Sequence, residues 1–421
     1  MTAVIIGAGA AGCFAAIELK RRQPAIRVIL LEAAGRALAK VAITGGGRCN
    51  LTNTFARVPQ QANGLKEVYP RGAQLMRRAL SAFSHEDCWE WFEREGVRLV
   101  AQDDECVFPR SQDAMQIVGT LLRLVDQLGV ELRLRHRVAE VRPAESGYAI
   151  SFADVSIPEL QADAVLVTVG GKPTERGFSF LSSFGLKLET PVPSLFTFNI
   201  EGDWTQRLMG AVVEHAAVTL AGTKFKAAGP LLLTHWGMSG PAILRLSSYA
   251  ARHLAAEDYR GRLVVNWLGG ANDEEARQLL RKTADANPRK LITSTPPQGL
   301  TARFWASLLE RYGLAQQCPG GSPLRWLDLG KKQFSRLVTA LTADEHTITG
   351  RCAFKEEFVT CGGVALSEVN PSTMEARRYP GLFFAGEVLD IDALTGGFNL
   401  QAAWSTAYVA AQNIAKIHVS I

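Results

Sequence analysis

The chain has 421 residues, 47% of them apolar and 21% charged, with 38 glycines and a net charge of +5. That composition excludes a disordered or fibrous chain and suggests two or three domains at roughly 150 residues each. The charge is mild for the length, and the basic pairs Arg281-Lys282, Arg289-Lys290 and Lys331-Lys332 are scattered, so charge alone makes nucleic-acid binding an unlikely role.

The longest apolar stretch, Ala3 to Ile17, is interrupted by three glycines and runs into Glu18, Lys20, Arg21 and Arg22. It is too short and too glycine-rich for a membrane span, and no basic segment precedes it as in a secretory signal. A cytoplasmic protein with no membrane partner is expected. The cysteines, at 13, 49, 88, 106, 318, 352 and 361, form no C-x-x-C pair, and the seven histidines form no H-E-x-x-H. Both facts argue against a disulfide framework and a metal site.

Along the chain, Ala3-Val4-Ile5-Ile6 reads as a strand, followed by a glycine turn, a helix and a second strand Val28–Leu31 ending at Glu32. This is a β-α-β unit of about 30 residues, the size of a dinucleotide-binding half. Helices are expected over 72–96 and 113–128. A strand is expected where Leu132, Leu134, His136 and Val138 alternate with arginines, and a buried strand at 164–169. Pro191 and Pro193 mark a boundary. Short strands follow at 196–200, 217–220, 229–233 and 262–267, with a helix at 242–254, which suggests a small barrel or sandwich. Helices are then expected after an Asn272 or Asp273 cap, near 301–311 and near 331–341, joined by connectors at 294–297 and 319–323. Strand and glycine character returns after 345. The segments are therefore 1–190 and 359–421 for the first domain, 191–270 and 343–358 for a β-barrel-like domain, and 271–342 for a helical insert.

Three motifs carry chemistry. Gly7-x-Gly9-x-x-Gly12 follows a strand and opens a helix, with Glu32 twenty residues on. Gly7 permits the turn, Gly9 lets a pyrophosphate reach the backbone, and Gly12 lets the helix pack on the strand. Ala11 lies in the same turn, the helix N-terminus offers N–H groups to phosphate, and Glu32 suits ribose hydroxyls. Near the other end, the strand Leu382–Phe384 leads through Gly386, Glu387 and Asp390 to Gly397 and a helix from about Asn399 and Leu400. In flavoproteins such a turn carries an acid to the ribityl chain and aims a helix N-terminus at the flavin, which points to FAD rather than NAD. Between them, Thr44-Gly45-Gly46-Gly47-Arg48-Cys49-Asn50 lets backbone pass close to a ring or phosphates. Arg48 suits the pyrophosphate and Asn50 a cofactor hydrogen bond. Cys49 is either a redox thiol or, as favoured, a small packed residue.

With Thr360-Cys361-Gly362-Gly363-Val364, these stretches resemble the BaiN/YhiN-like family of bacterial flavoproteins (aminoacetone oxidase family FAD-binding proteins). The matching runs are GAGAAG at 7–12, TGGGRCNLTN at 44–53, LTHWGMSGPAIL at 233–244, TCGGV at 360–364 and AGEVLDIDALTGGFNLQAAW at 385–404. The resemblance implies an α/β fold: a Rossmann-like FAD-binding domain of the glutathione-reductase type, split by a small β-barrel with a helical subdomain inserted. It implies FAD contacts at Gly9, Ala11, Glu32, Arg48, Asn50, Gly386, Glu387, Asn399 and Leu400, backbone from Val138 to the adenine, and Gly170 by the pyrophosphate or ribose. The chain departs from the family at 172–177, Lys-Pro-Thr-Glu-Arg-Gly, and at Cys361 within Thr-x-Gly-Gly-Val.

His235, in a polar turn before a helix, is a candidate general acid or base beside the plainer role of ordering that turn. Cys361 is a candidate flavin neighbour beside the plainer role of packing. The leading function is an FAD-dependent oxidoreductase on a small organic substrate. Either NAD(P)H docks transiently and an activated C=C bond is reduced, or an amine or amino ketone is oxidised. A non-catalytic FAD-containing or RNA-associated module and an NAD-only binder are the alternatives. Oligomeric state is left open.

Overall fold

Five parallel strands organise one of the two units of the computed structural model, which describes residues 1–59, 63–315, 323–352 and 359–417. Cys318, most of the 319–323 connector and the 353–358 end of the expected barrel return lie outside the described residues. The chain divides into two units, 1–194 with 359–421, and 195–358.

In the first unit the strand order is Leu382–Phe384, Ala164–Val167, Thr2–Ile6, Arg27–Leu31, Glu131–Arg133, all parallel. The central strands are continuous apolar runs because both faces are covered. Helices Ala10–Arg22 and Phe398–Ile417 pack against each other. Phe14 lies 4.9 to 5.5 Å, ring to ring, from Trp91, Phe83 and Trp404. Trp404 is fully buried, and its indole N–H donates to the Leu51 carbonyl at 2.9 Å. Buried Glu18 accepts from the Trp91 indole at 2.8 Å and pairs with Arg21 and Arg22.

Three local expectations are corrected. The stretch 72–96 is two helices, Ala73–Ala82 and His85–Arg94, because Ser84 and Asp87 form a capping box that restarts the chain. The run Leu132–Val138 is not one strand. Glu131–Arg133 ends at a turn where Arg135 is left-handed (φ 59°), and Val138–Pro143 belongs to a separate antiparallel sheet. Pro191 and Pro193 lie within the strand Leu188–Ser194, which pairs with Val359–Val364 across a register shift between Glu189 and Val192. The irregular two-stranded ladder tolerates their missing N–H groups, and the division falls after Ser194.

The second unit is built on a seven-stranded antiparallel sheet, in the order Asp344–Ile348, Gly261–Asn266, Val212–Leu220, Lys226–Leu233, Gly237–Ser239, Phe198–Asn199, Gly350–Arg351. Its two edge strands are consecutive in the chain through Thr349, so the sheet curls its ends towards each other in a barrel-like way. Helices Asp273–Ala286, Ala302–Arg311 and Lys331–Thr342 form an excursion between two strands that pair directly, Gly261–Asn266 and Asp344–Ile348. Asn272 caps the first of them with Glu275. These helices share one core with the sheet, through Trp267, Phe304, Trp305 and Leu337, so they form a layer on it. Among the described residues no helix is long and apolar enough to cross a membrane.

A polar centre sits in that core. His346 is held between Asp203 (Nδ1, 2.7 Å) and Asp344 (Nε2, 2.9 Å), and Asp344 also accepts from the Trp267 indole and the Tyr312 hydroxyl. Burial alone would lower the His346 pKa, but its two carboxylate hydrogen bonds win and raise it from 6.5 to about 9. The resulting stabilisation is complete below the ordinary imidazole range and is lost as pH rises through about 9. Thermal unfolding followed by tryptophan fluorescence should therefore show the wild type losing its advantage over His346→Gln between neutral pH and about pH 10. A difference in Tm that stays constant with pH would remove the charged His346 from the account.

Candidate functional site

The first helix begins where backbone is crowded from every side. A Cβ on Gly12 would lie 1.9 Å from the Gly7 carbonyl oxygen and 2.7 Å from Thr168 Oγ1. Gly7 itself has φ 109°, and a Cβ there would lie 2.5 Å from the Thr168 carbonyl oxygen. Thr168 donates its hydroxyl to the Ile6 and Gly7 carbonyls, which locks strand, turn and helix together. Gly9, the residue before the helix, is the opposite case: a Cβ there would meet nothing within 4 Å. The helix has no acidic residue in its first turn and no side-chain cap. Its first N–H groups, including that of buried Ala11, are thus available to an anion.

Glu32 closes the far side of this turn. Its carboxylate accepts from the Ala8 N–H at 3.0 Å and the Ala34 N–H at 2.8 Å, and its own carbonyl accepts from His136 N–H. Each carboxylate oxygen keeps a lone pair, and the residue is half-exposed, so it could bind a ribose diol. Arg135, in the turn before Val138, donates its N–H to Ala34 and so pins the Glu32 loop to the strand that opens at Val138.

The glycine run at 44–47 leaves helical geometry. Gly45, Gly46 and Gly47 have φ of 59°, 68° and 81°, and Thr44 is extended. Gly45 packs on Asn50, while Gly46 and Gly47 border open space. Arg48 is exposed, lies over the Phe108 ring at 4.4 Å and donates to the Gly45 carbonyl. Cys49 is fully buried, and burial pushes its thiol up to about 12, so it is not a reactive thiolate and would meet a cofactor only through backbone. Asn50 donates its amide to Thr52 and Val107 carbonyls and accepts from the Gly397 N–H at 3.2 Å.

That last bond joins the two glycine-rich segments. Gly397 (φ 88°) lies so close that a Cβ would sit 2.1 Å from the Thr52 carbonyl oxygen, and Asn53 donates to Gly396. Asn399 closes its own turn on both the N–H and the carbonyl of Ala393. Leu400, partly buried, follows in the same helix. Gly386 (φ 77°) packs its backbone against Ala11, with its N–H donated to Thr406. Glu387 accepts from the Thr360 N–H at 3.0 Å, pairs with Lys40 at 3.2 Å and flanks Gly170. Asp390 accepts from the Gly362 N–H at 2.9 Å. The candidate cofactor residues all lie in the first unit, most of them in turns and helix starts that follow its parallel strands, whereas Val138 opens a strand of a separate antiparallel sheet. The glycines beside open space, the uncapped helix and the half-free Glu32 together fit a dinucleotide.

Beneath this rim is an ion pair that sequence reasoning missed. Arg71 binds Asp392 through two guanidinium nitrogens, Ser194 donates to the same carboxylate at 2.8 Å, and Asp392 has no exposed surface. Arg71 also feels Cys361 and Asp390 electrostatically. Cys361 is fully buried on the strand Val359–Val364. The partners stand 321 positions apart, so no local pattern signals them. Lys40 and Thr168 were missed for the same reason.

His235 belongs to the second unit. It is exposed, and its ring stands edge-on to Trp236 at 4.5 Å. The turn around it is ordered by Thr234, which exchanges hydrogen bonds with Gly237, so His235 is not what orders that turn.

Residues 1–413 match the model of the HI0933-like protein Rossmann domain. The chain belongs to the HI0933-like family. A ribosomal RNA dihydrouridine synthase of Escherichia coli (strain K12) is 29% identical to it, over 98% of this chain and 97% of its own. A 3-dehydro-bile acid delta(4,6)-reductase of Clostridium scindens is 28% identical, over 98% of each. Among solved structures, 3-ketosteroid delta1-dehydrogenase from Sterolibacterium denitrificans shares the fold, with a TM-score of 0.51 and 12% identity over 99% of this chain and 100% of that one. The protein is an FAD-dependent oxidoreductase of Rossmann type.

Two outcomes test the site. Glu32→Ala should weaken FAD retention by about 1–3 kcal/mol, read by flavin fluorescence on dilution; unchanged retention would remove Glu32 from the cofactor site. Arg71→Leu should cost about 3–5 kcal/mol in urea unfolding by stranding Asp392, and adding Asp392→Leu should restore much of that; a small single-mutant effect would show the pair is solvated.

Proposed function

We propose that the protein is an NAD(P)H-dependent reductase that saturates a C=C bond conjugated with a carbonyl. One observation carries this reading. Relatives that align over nearly their whole length are named for different substrates, an RNA base and a bile acid, yet these names describe adding hydrogen across such a bond. The amine-oxidising alternative has no comparable support among them.

Bound FAD supplies the two-electron carrier between nicotinamide and carbon. The chain's own residues hold it. Glycine backbone and the first-turn N–H groups of Ala10–Arg22 take the pyrophosphate, Glu32 the ribose, and Glu387 with its Lys40 partner lies on the Gly170 side. Saturation also needs a proton at the second carbon. Cys361, fully buried, is kept as a packed neighbour of Arg71 rather than as that proton's source.

Anaerobic spectra of the yellow protein test this directly. NADH or NADPH should bleach the flavin, and a conjugated enone or uridine-containing RNA should restore the colour without oxygen. A flavin bleached by amines and by neither nicotinamide would overturn the reductase reading.

A further inference from the structure

We propose that Lys172 is the cation that holds the pyrophosphate of bound FAD by charge, beside the backbone N–H groups of the glycine turn. The inference concerns how the cofactor is kept, and it stands whichever bond the flavin reduces. Lys172 lies in the segment 172–177, Lys-Pro-Thr-Glu-Arg-Gly, where the chain departs from the family it resembles.

The place of Lys172 follows from its backbone. The strand Ala164–Val167 ends beside the first glycine turn, where Thr168 is bonded to Gly7, and leads into Gly170 and Gly171. Gly171 lies against Glu387, and a Cβ there would sit 2.8 Å from Glu387 Oε1. Lys172 is the next residue, and its own turn clasps its stem. Gly177 donates its N–H to the Thr174 carbonyl at 3.0 Å, and a Cβ on Gly177 would lie 2.6 Å from Lys172 Cβ and 2.7 Å from Cγ. The turn closes on the stem because Gly177 has no side chain. The residue is half-buried and has no carboxylate within 4 Å among the described residues.

The charges around Lys172 come from both ends of the cradle. Glu32 and Arg137 flank the ribose side, with Arg137 just before the strand that opens at Val138, and Glu387 and Lys40 flank the Gly170 side. In a flavin dinucleotide the group between the ribose and the ribityl chain is the pyrophosphate, which carries two negative charges. Both acids are already engaged, Glu387 by Lys40 and the Thr360 N–H, Glu32 by the Ala8 and Ala34 N–H groups. Burial first, and then the charges of Lys40 and Arg137, push the Lys172 ammonium below its usual range despite those acids. A partly desolvated cation among other cations gains strongly from an anion. The helix Ala10–Arg22 carries no charged side chain in its first turn, so its N-terminus offers phosphate only partial charge. Lys172 adds the full charge from a neighbouring strand end. A lysine that served only to offset the two acids would not touch the phosphates, and that difference can be measured.

The test uses the full-length, FAD-loaded protein with Lys172→Met, which keeps the stem against Gly177, and Lys172→Arg, which keeps the charge. FAD retention is read by flavin fluorescence on dilution, and the bound pyrophosphate by its phosphorus NMR resonances. Lys172→Met should release FAD roughly 10–100-fold more readily at low salt, by a margin that narrows as salt screens the charge. It should move the phosphorus resonances and leave the visible flavin spectrum in place, while Lys172→Arg should retain FAD nearly as the wild type does. Unchanged retention in Lys172→Met would overturn the proposal, as would weakened retention with unmoved phosphorus resonances. Should Lys172→Met hold too little FAD for the spectrum, Lys172→Arg decides: retention there supports the cation, and equal loss overturns it. Because the readout is flavin release, failure of the reductase reading would leave this result untouched.

Discussion

The closeness of backbone at the first strand–helix turn is the constraint on which the rest of the first unit depends. Only a residue without a Cβ fits at Gly12, where the helix start lies on the Gly7 carbonyl, and only glycine fits the φ and contacts of Gly7. The hydroxyl of Thr168, from the neighbouring parallel strand, holds that contact shut. From it follow the direction of the helix Ala10–Arg22, the open N-terminus that faces the site and the seat for Gly386 against Ala11. A methyl group at Gly12 would move all three at once.

Around that turn the site is assembled by segments that are far apart in the chain and tied by single polar contacts. Asn50 bonds to Gly397, Glu387 to Thr360 and Asp390 to Gly362, and Arg71 is buried on Asp392. Each tie fixes a glycine-rich strand or loop whose own side chains supply no packing. Backbone is thereby exposed to a ligand yet kept rigid, which is what a cofactor cradle requires. The second unit follows a different logic. Its sheet and helices share one apolar core around a charged His346.

What the sequence made legible is what is encoded locally. The β-α-β unit, the acid at Glu32 and the turn before Phe398–Ile417 all lie in short windows where glycine spacing has a direct backbone meaning. The break at Ser84 was written there too, as Ser84 and Asp87 three apart, but the apolar spacing runs through it and hid the cap. The turn at Arg135 was hidden by an alternation that mimics one strand. Arg71–Asp392 and Asp203–His346–Asp344 have no local signature, because tertiary packing alone makes them neighbours.

The central claim is that hydrogen is added across a conjugated C=C bond. Its most direct test is mass spectrometry of a conjugated enone and of uridine-containing RNA, incubated anaerobically with the protein and nicotinamide deuterated at the transferred position. The account predicts a product that has gained two hydrogens, one of them carrying the label. Unlabelled, unchanged acceptors, together with an amine oxidised in the same preparation, would contradict it.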